Sequence, residues 1–229
     1  MEVFVCVRTV GRQIDFGVAT TGAERSAIQA QRFRVYQGRG YYRPGLTVDR
    51  DEYDEKAVYV LAMLDSNQPG GEVVGSARFI VGEPYVLFRF PCEEAFQLEP
   101  PEDLREIPAG QCGEVGRMVS ERPEGIVLGR LVVPLGLIQA VSEYSQRHDI
   151  RCGLAIIKQR FLRALTGAGV RFREFPSARL IYPSDGVASP YFYRHADPVV
   201  PIYWLADEIA PSIERAITRY QGGALFSLD

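Results

Sequence analysis

The sequence predicts an α/β protein, α+β in character, with a mixed central sheet flanked by helices. Three observations carry that reading. Two apolar segments, residues 57–64 and 72–81, flank Asp65-Ser66-Asn67-Gln68-Pro69-Gly70-Gly71, a concentration of turn formers that makes the pair an antiparallel hairpin. Residues 150–157 form a near-continuous apolar run, as a buried strand requires, and a helical pattern follows at 158–166. Leu135, Ile138, Val141 and Tyr144 recur at helical spacing after Pro134, so a helix with one apolar face precedes that strand.

The remaining elements follow in order. Residues 2–10 read as a strand. Thr21, with Glu24 three residues on, starts a helix running toward Tyr36, with Arg32 near its C-terminal end. Residues 38–55 are rich in Gly, Pro and Asp and form a loop. In the hairpin's second strand, Arg78 shares a face with Val74, Ser76 and Ile80. Residues 90–108 are irregular, and 113–119 form the next strand. Gly167-Ala168-Gly169 stops the helix at 158–166, and 170–175 return as a strand. After a Pro- and Tyr-rich loop, 199–205 are the last strand and 211–220 a terminal helix with Ile213, Ile217 and Tyr220 inward.

The 229 residues, 46% hydrophobic and 24% charged, suffice for a sizeable core, and 1–229 are read as one domain. No stretch approaches the ~18 to 20 consecutive apolar residues of a membrane span, and the start is too short and acidic for a signal peptide, so a cytoplasmic protein is expected. A net charge of -3 argues against a nucleic-acid binder, whose footprint would be basic. Cys6, Cys92, Cys112 and Cys152 show no metal-ligand spacing and are expected to be reduced and buried, with no metal or bound cofactor. His148 and His195 lie near no Ser or Cys elbow, which argues against a hydrolase triad. The charge is uneven, however. Arg147, Arg151, Lys158, Arg160, Arg163, Arg171 and Arg173 stand against only Asp149 and Glu174, so a basic face is expected there.

The most informative residues are a scattered set of charges. Arg32-Phe33-Arg34-Val35-Tyr36 is followed by Gly40-Tyr41-Tyr42, by Asp51-Glu52-Tyr53-Asp54, by the strand carrying Arg78, and by Cys112-Gly113-Glu114-Val115-Gly116-Arg117-Met118-Val119. Each piece alone is common, and the ordered combination carries the specificity. Over residues 10–175 the pattern resembles the acyl-homoserine-lactone synthases and the long-chain N-acyl amino acid synthases, both built on the GNAT acyltransferase fold.

The resemblance implies a GNAT-like N-acyltransferase in which Glu114 is the base and Arg117 lies beside it. An amine cannot attack a thioester while protonated, so such a site needs a proton acceptor. Glu114 would sit on the strand that splays from its neighbour to admit the pantetheine arm of acyl carrier protein or coenzyme A. On a regular strand Glu114 and Arg117 face opposite sides, and a bulge at Gly116 would bring them together. Arg32, Asp51, Asp54 and Arg78 fit one ion network beneath the acceptor site, with Tyr42 beside it. Their non-catalytic readings are a strand-edge ion pair and an architectural network. Tyr42 stands where the lactone synthases carry Trp, and residues 14–42 look more like the N-acyl amino acid synthases. Residues 122–130 depart from the pyrophosphate loop of the fold, which favours acyl carrier protein over acyl-CoA as donor. Arg147, Arg151, Lys158, Arg160 and Arg163 would then meet the carrier's acidic helix. Tyr182, Tyr191, Phe192, Tyr193 and Trp204 are candidates to line an acyl tunnel.

The function expected is direct transfer of a fatty acyl group to the amine of an amino acid or related small molecule, without an acyl-enzyme; Cys112 is read as a packing thiol. The rival enzyme is a homoserine-lactone synthase using S-adenosylmethionine. A rival of another class is a catalytically silent module that binds the carrier protein.

Overall fold

The structure is a computed structural model describing residues 1–9, 12–68, 71–83, 90–122, 129–220 and 225–228. The chain opens on two antiparallel strands, β1 (Glu2–Thr9) and β2 (Arg12–Val18). The second was not expected, although Ile14, Phe16 and Val18 alternate with Gln13, Asp15 and Gly17 at the period of a strand. α1 (Gly22–Gly38) begins at the predicted capping box: the Glu24 N–H donates to Thr21 Oγ1, and the Thr21 N–H donates to the Glu24 carboxylate. The predicted hairpin is β3 (Val58–Leu64) against β4 (Glu72–Val81).

Residues 90–108 are not irregular throughout. They hold α2 (Pro91–Ala95), β5 (Phe96–Leu98) and α3 (Glu102–Arg105), elements too short for periodicity to reveal. β6 (Cys112–Ser120), α4 (Val132–Arg147) and β7 (Cys152–Lys158) follow as expected, then α5 (Gln159–Ala168), closed by Gly169 in the left-handed region at φ 102°. The expected strand at 170–175 shrinks to β8 (Arg173–Glu174). The Pro- and Tyr-rich stretch contains β9 (Ala178–Leu180), which pairs with β5, and α6 (Ser189–Phe192). β10 (Val199–Leu205) is not the last strand: after α7 (Ala206–Tyr220), β11 (Leu225–Leu228) returns to pair with β1. Ile213 and Ile217 of α7 point inward, while the Tyr220 side chain lies outside what is described.

Among the described residues the main sheet has nine strands in the order β11-β1-β2-β3-β4-β6-β7-β10-β8, and β6 with β7 is its parallel pair. One core lies on the α4, α5 and α7 side and includes Phe16, Phe79, Leu135, Leu165, Trp204 and Ile213. The other lies on the α1 side and includes Ile28, Tyr59, Leu61, Ile80 and Leu154. Arg78, Ser76 and Ile80 face α1, as expected, but Val74 does not. The register slips between Ala62↔Gly75 and Met63↔Val73, so Val74 is an extra residue whose side chain turns to the opposite core.

A single feature of the sheet positions everything that follows. β6 and β7 are in register only from Cys112↔Cys152 to Val115↔Ala155, and beyond those residues the two strands part.

Candidate active site

Glu114 sits within the last paired stretch of β6, opposite Leu154, just before the strands diverge. Its side chain is 3% exposed. Helix α2 starts beside it with Pro91, and the Cys92 N–H, one of the first-turn donors that no helical carbonyl satisfies, donates to Glu114 Oε2 at 2.9 Å. Burial dominates the titration of this carboxyl and lifts it to about 7, against the opposing pull of the Cys92 hydrogen bonds and of Arg78.

The expected bulge is present, one residue further on than Gly116. Ser76 pairs with Val119 and Arg78 with Gly116, so Arg117 and Met118 together oppose Ala77 alone. Arg117 takes up the extra length in the left-handed region, at φ 55°, a conformation that costs a non-glycine residue about 1 kcal/mol or more and that tertiary contacts must hold. Those contacts are in place. The Arg117 guanidinium donates to the Tyr42 hydroxyl, to the Asp49 carboxylate and, at 2.9 Å, to Asp51.

The four charges read from the sequence as one network do meet, and Asp49 joins them. Arg32, 1% exposed, forks onto both oxygens of Asp54 at 3.1 and 3.0 Å and also pairs with Asp49. Arg78 donates to Asp51 at 2.5 Å and to Asp54 at 3.1 Å. Local sequence prepares the loop for this. Asp51 and Asp54 cap a 3₁₀ turn over Glu52–Glu55 reciprocally, each accepting a backbone N–H from the other's end. Burial alone would raise the Asp54 carboxyl, but the Arg32 fork, the Asp51 N–H and the Tyr59 hydroxyl at 2.7 Å hold it well below the usual carboxylate range. Three arginines thus face three aspartates in a nearly closed set; Asp51, at 29%, is the partly open carboxylate, and Arg117, at 23%, is the partly open cation. Sequence reasoning missed Asp49 and Tyr59. Asp49 falls in a run of charges that reads as solvated loop, and a tyrosine on a strand gives no sign of the acid its hydroxyl will reach.

The gap between β6 and β7 is a cavity of about 700 Å³ that passes from one face of the sheet to the other. On the α1 side its wall includes Tyr42, Asp51, Arg78, Glu114 and Arg117; on the other side it is apolar, with Ile138, Val141, Leu165, Phe172, Trp204 and Ile213. Gly153 is required for this wall, because a Cβ there would stand 2.1 Å from the Trp204 ring. Tyr182, Tyr191, Phe192 and Trp204 line the cavity as the sequence proposed, whereas Tyr193 faces a separate shallow pocket. Tyr36, Tyr41 and Tyr191 pack against one another with ring centroids 5.1 to 6.4 Å apart, and Tyr36 also meets the Tyr42 ring at 5.5 Å.

The basic run does not form one face. Arg151 precedes β7 and Arg160 follows it, so a strand about 20 Å long separates them. Arg147 is exposed at the far end and pairs with Glu2. Lys158 is buried at 7%, its ammonium held by the carbonyls of Tyr191 and Asp197 and lying over the Tyr191 ring, which removes it from any docking surface. Burial lowers its pKa. Arg160 and Arg163 are exposed on α5, and Arg160 reaches the cavity. All four cysteines are buried; Cys112 and Cys152 lie opposite one another, the Cys152 thiol donating to Cys112 Sγ at 2.7 Å. Most of the segment 122–130 lies outside the described residues.

A helix-flanked mixed sheet whose central parallel pair splays beside a buried carboxylate is the GNAT-like fold. Solved structures of that fold are similar to this chain over nearly its whole length. TofI in a ternary complex with an inhibitor and MTA matches at TM-score 0.59 and 17% identity, covering 92% of this chain and 96% of that one. The AHL synthase LasI matches at TM-score 0.58 and 16% identity over 100% of both chains. FeeM, an N-acyl amino acid synthase from uncultured soil microbes, matches at 0.50 and 13% identity, covering 87% and 95%. Neither a protein-family model nor a curated protein sequence matches the chain. Among the described residues no helix is long and apolar enough to cross a membrane.

Proposed function

We propose that the protein is a cytoplasmic N-acyltransferase that moves a fatty acyl group from an acyl-carrier-protein or coenzyme A thioester to the amine of an amino acid or related small molecule. The observation that carries this reading is Glu114, a carboxyl titrating at about 7 at the neck of a cavity with a charged mouth and an apolar arm. A base whose pKa lies near the working pH is ionised often enough to accept a proton and basic enough to hold it. The amine nitrogen attacks the thioester carbonyl, the new C–N bond forms as the C–S bond breaks, and Glu114 takes the proton that the amine gives up and passes it to the departing thiolate, which restores the carboxylate. Asp51, the open carboxylate of the network, faces the incoming amine, with Arg117 and Tyr42 beside it. The apolar arm toward Trp204 and Ile213 receives the acyl chain. The shared fold with LasI, an AHL synthase, and FeeM, an N-acyl amino acid synthase, supports the reaction class.

A second reading, lactone synthesis from S-adenosylmethionine, is favoured by the higher likeness to TofI and LasI than to FeeM. Tyr42 in place of Trp weighs against it. Mass spectrometry of lipid extracts from cells making the protein, beside cells making Glu114→Gln, tests both. A new N-acyl species lost in the variant is the expected result, and an acyl lactone would select the second reading. Extracts identical to those of cells without the protein would overturn acyl transfer and leave a carrier-binding module.

A further inference from the structure

Arg32, Arg78 and Arg117 are all held by carboxylates. Three other arginines at the rim are not. A shallow open pocket of about 610 Å³ is walled by Arg39, Arg43 and Arg194 with Ser189, and Arg39 also lines the large cavity, so the two spaces adjoin. Among the described residues no carboxylate lines this pocket. The Arg39 guanidinium has no hydrogen-bond or ion-pair partner there. Arg43 donates to Ser189 Oγ at 3.1 Å and to the Ser184 carbonyl at 2.6 Å, and Arg194 reaches only the Arg39 carbonyl, at 3.4 Å. The Arg43 N–H bonds the Val187 carbonyl at 3.0 Å, which ties the loop after α1 to the segment around α6 and brings the three cations together. Cations assembled without a counter-ion repel one another, and an anion shared among them removes that cost.

We propose that this pocket takes a phosphate group carried by a substrate whose reactive end lies in the cavity, and specifically the phosphate of the donor's phosphopantetheine arm; the naming of the donor rests on the acyl-transfer reading above. Guanidinium forks match the several oxygens of a phosphate, and three of them exceed what one carboxylate can satisfy. Reach makes the same choice. Arg39 caps the C-terminus of α1, seven residues beyond Arg32 and about 10 Å further along the helix axis, and the pocket it walls is lined by neither Asp51 nor Glu114, so an anion held there lies outside the space those carboxylates face. The carboxylate of an α-amino acid is only two bonds from its amine and cannot occupy both places, whereas the phosphate of a phosphopantetheine arm is many bonds from its sulfur.

The test is calorimetric titration of the full chain with inorganic phosphate, pantetheine and phosphopantetheine, repeated on Arg39→Ala and Arg39→Ala/Arg194→Ala. Arg39 supports nothing else in the fold, and thermal melting confirms that the variants are intact. The expected result is that phosphopantetheine binds about tenfold tighter than pantetheine, the scale of one charged hydrogen-bonded contact, and that both variants abolish the difference. These binding measurements need no turnover, so they still report on the pocket if the protein transfers no acyl group. Kinetics separate the two sources of phosphate. A Michaelis constant raised by Arg39→Ala for acyl-phosphopantetheine but not for acyl-pantetheine assigns the phosphate to the donor. Inorganic phosphate that binds at Arg39 with no preference for phosphopantetheine over pantetheine overturns that assignment and places the phosphate on the acceptor. Failure of inorganic phosphate to bind, with equal affinity for the two pantetheines, overturns the site itself.

Discussion

Glu114 is held where ionisation is costly, and the cost has a sign that can be measured. Its carboxyl titrates at about 7 in the folded protein against 4.5 in the unfolded chain, so the stability it contributes is fully present below about 4.5 and is lost as pH rises through 7. A group this buried forfeits roughly 3 kcal/mol by pH 8. Glu114→Gln, which keeps the shape and cannot ionise, should therefore match the unaltered protein near pH 4.5 and exceed its stability at pH 8 in denaturant titrations. The same variant should turn over about 10²-fold more slowly. Turnover of the unaltered protein should rise with pH through about 7. Equal stability of the two proteins at pH 8 would mean that the ionised carboxylate reaches solvent or a cation in the folded protein. Glu114 and Arg117 were legible as a pair because their spacing belongs to a larger pattern. The left-handed conformation of Arg117, through which both residues come to line one cavity without touching, was legible only as a need for a bulge.

The loop from Asp49 to Glu55 is an element made of charges rather than of backbone hydrogen bonds, and its parts should act as a unit. Arg78 touches both Asp51 and Asp54, so Asp51→Asn and Arg78→Ala should be non-additive, with a coupling of about 1 to 3 kcal/mol in stability. The Michaelis constant for the amine gives a second readout. Coupling there as well would make Asp51 part of the acceptor site, coupling in stability alone would make the network architectural, and additivity in both would separate residues that the structure joins. Elements with local grammar, such as the capping box of α1, the turn between β3 and β4 and the glycine stop of α5, could be read in sequence because a few adjacent residues specify them. β2 carries a strand alternation, but over only seven residues and beside a more apolar neighbour, so the signal is weak. α2, β5, β9 and β11 are too short to show a period, and tertiary pairing makes them. The same is true of Asp49, whose importance comes from two arginines, 17 residues before it and 68 after it.

At the scale of the whole molecule, β7 divides the basic run that the sequence presents as one. Charge reversal at Arg160 and Arg163, beside the cavity, should raise the Michaelis constant for a carrier-protein donor far more than for a short acyl-pantetheine, and salt should shrink the effect. Reversal at Arg147 and Arg151, beyond the other end of β7, should leave both donors nearly unaffected; an equal effect from the two pairs would mean that the carrier spans the sheet. The parting of β6 from β7 also has a mechanical side. Four register pairs, Cys112 to Val115 with Cys152 to Ala155, are all that zip six strands on one side to three on the other, so the sheet is two plates joined along a short seam. Those amides of Met118 to Ser120 and Ile156 to Lys158 that do not point to β4 or β10 face the unzipped length. In the empty protein they should exchange with deuterium faster than those of β3 and β4. An acyl chain lodged between the plates should slow them, as a wedge that fills a crack stops it from working.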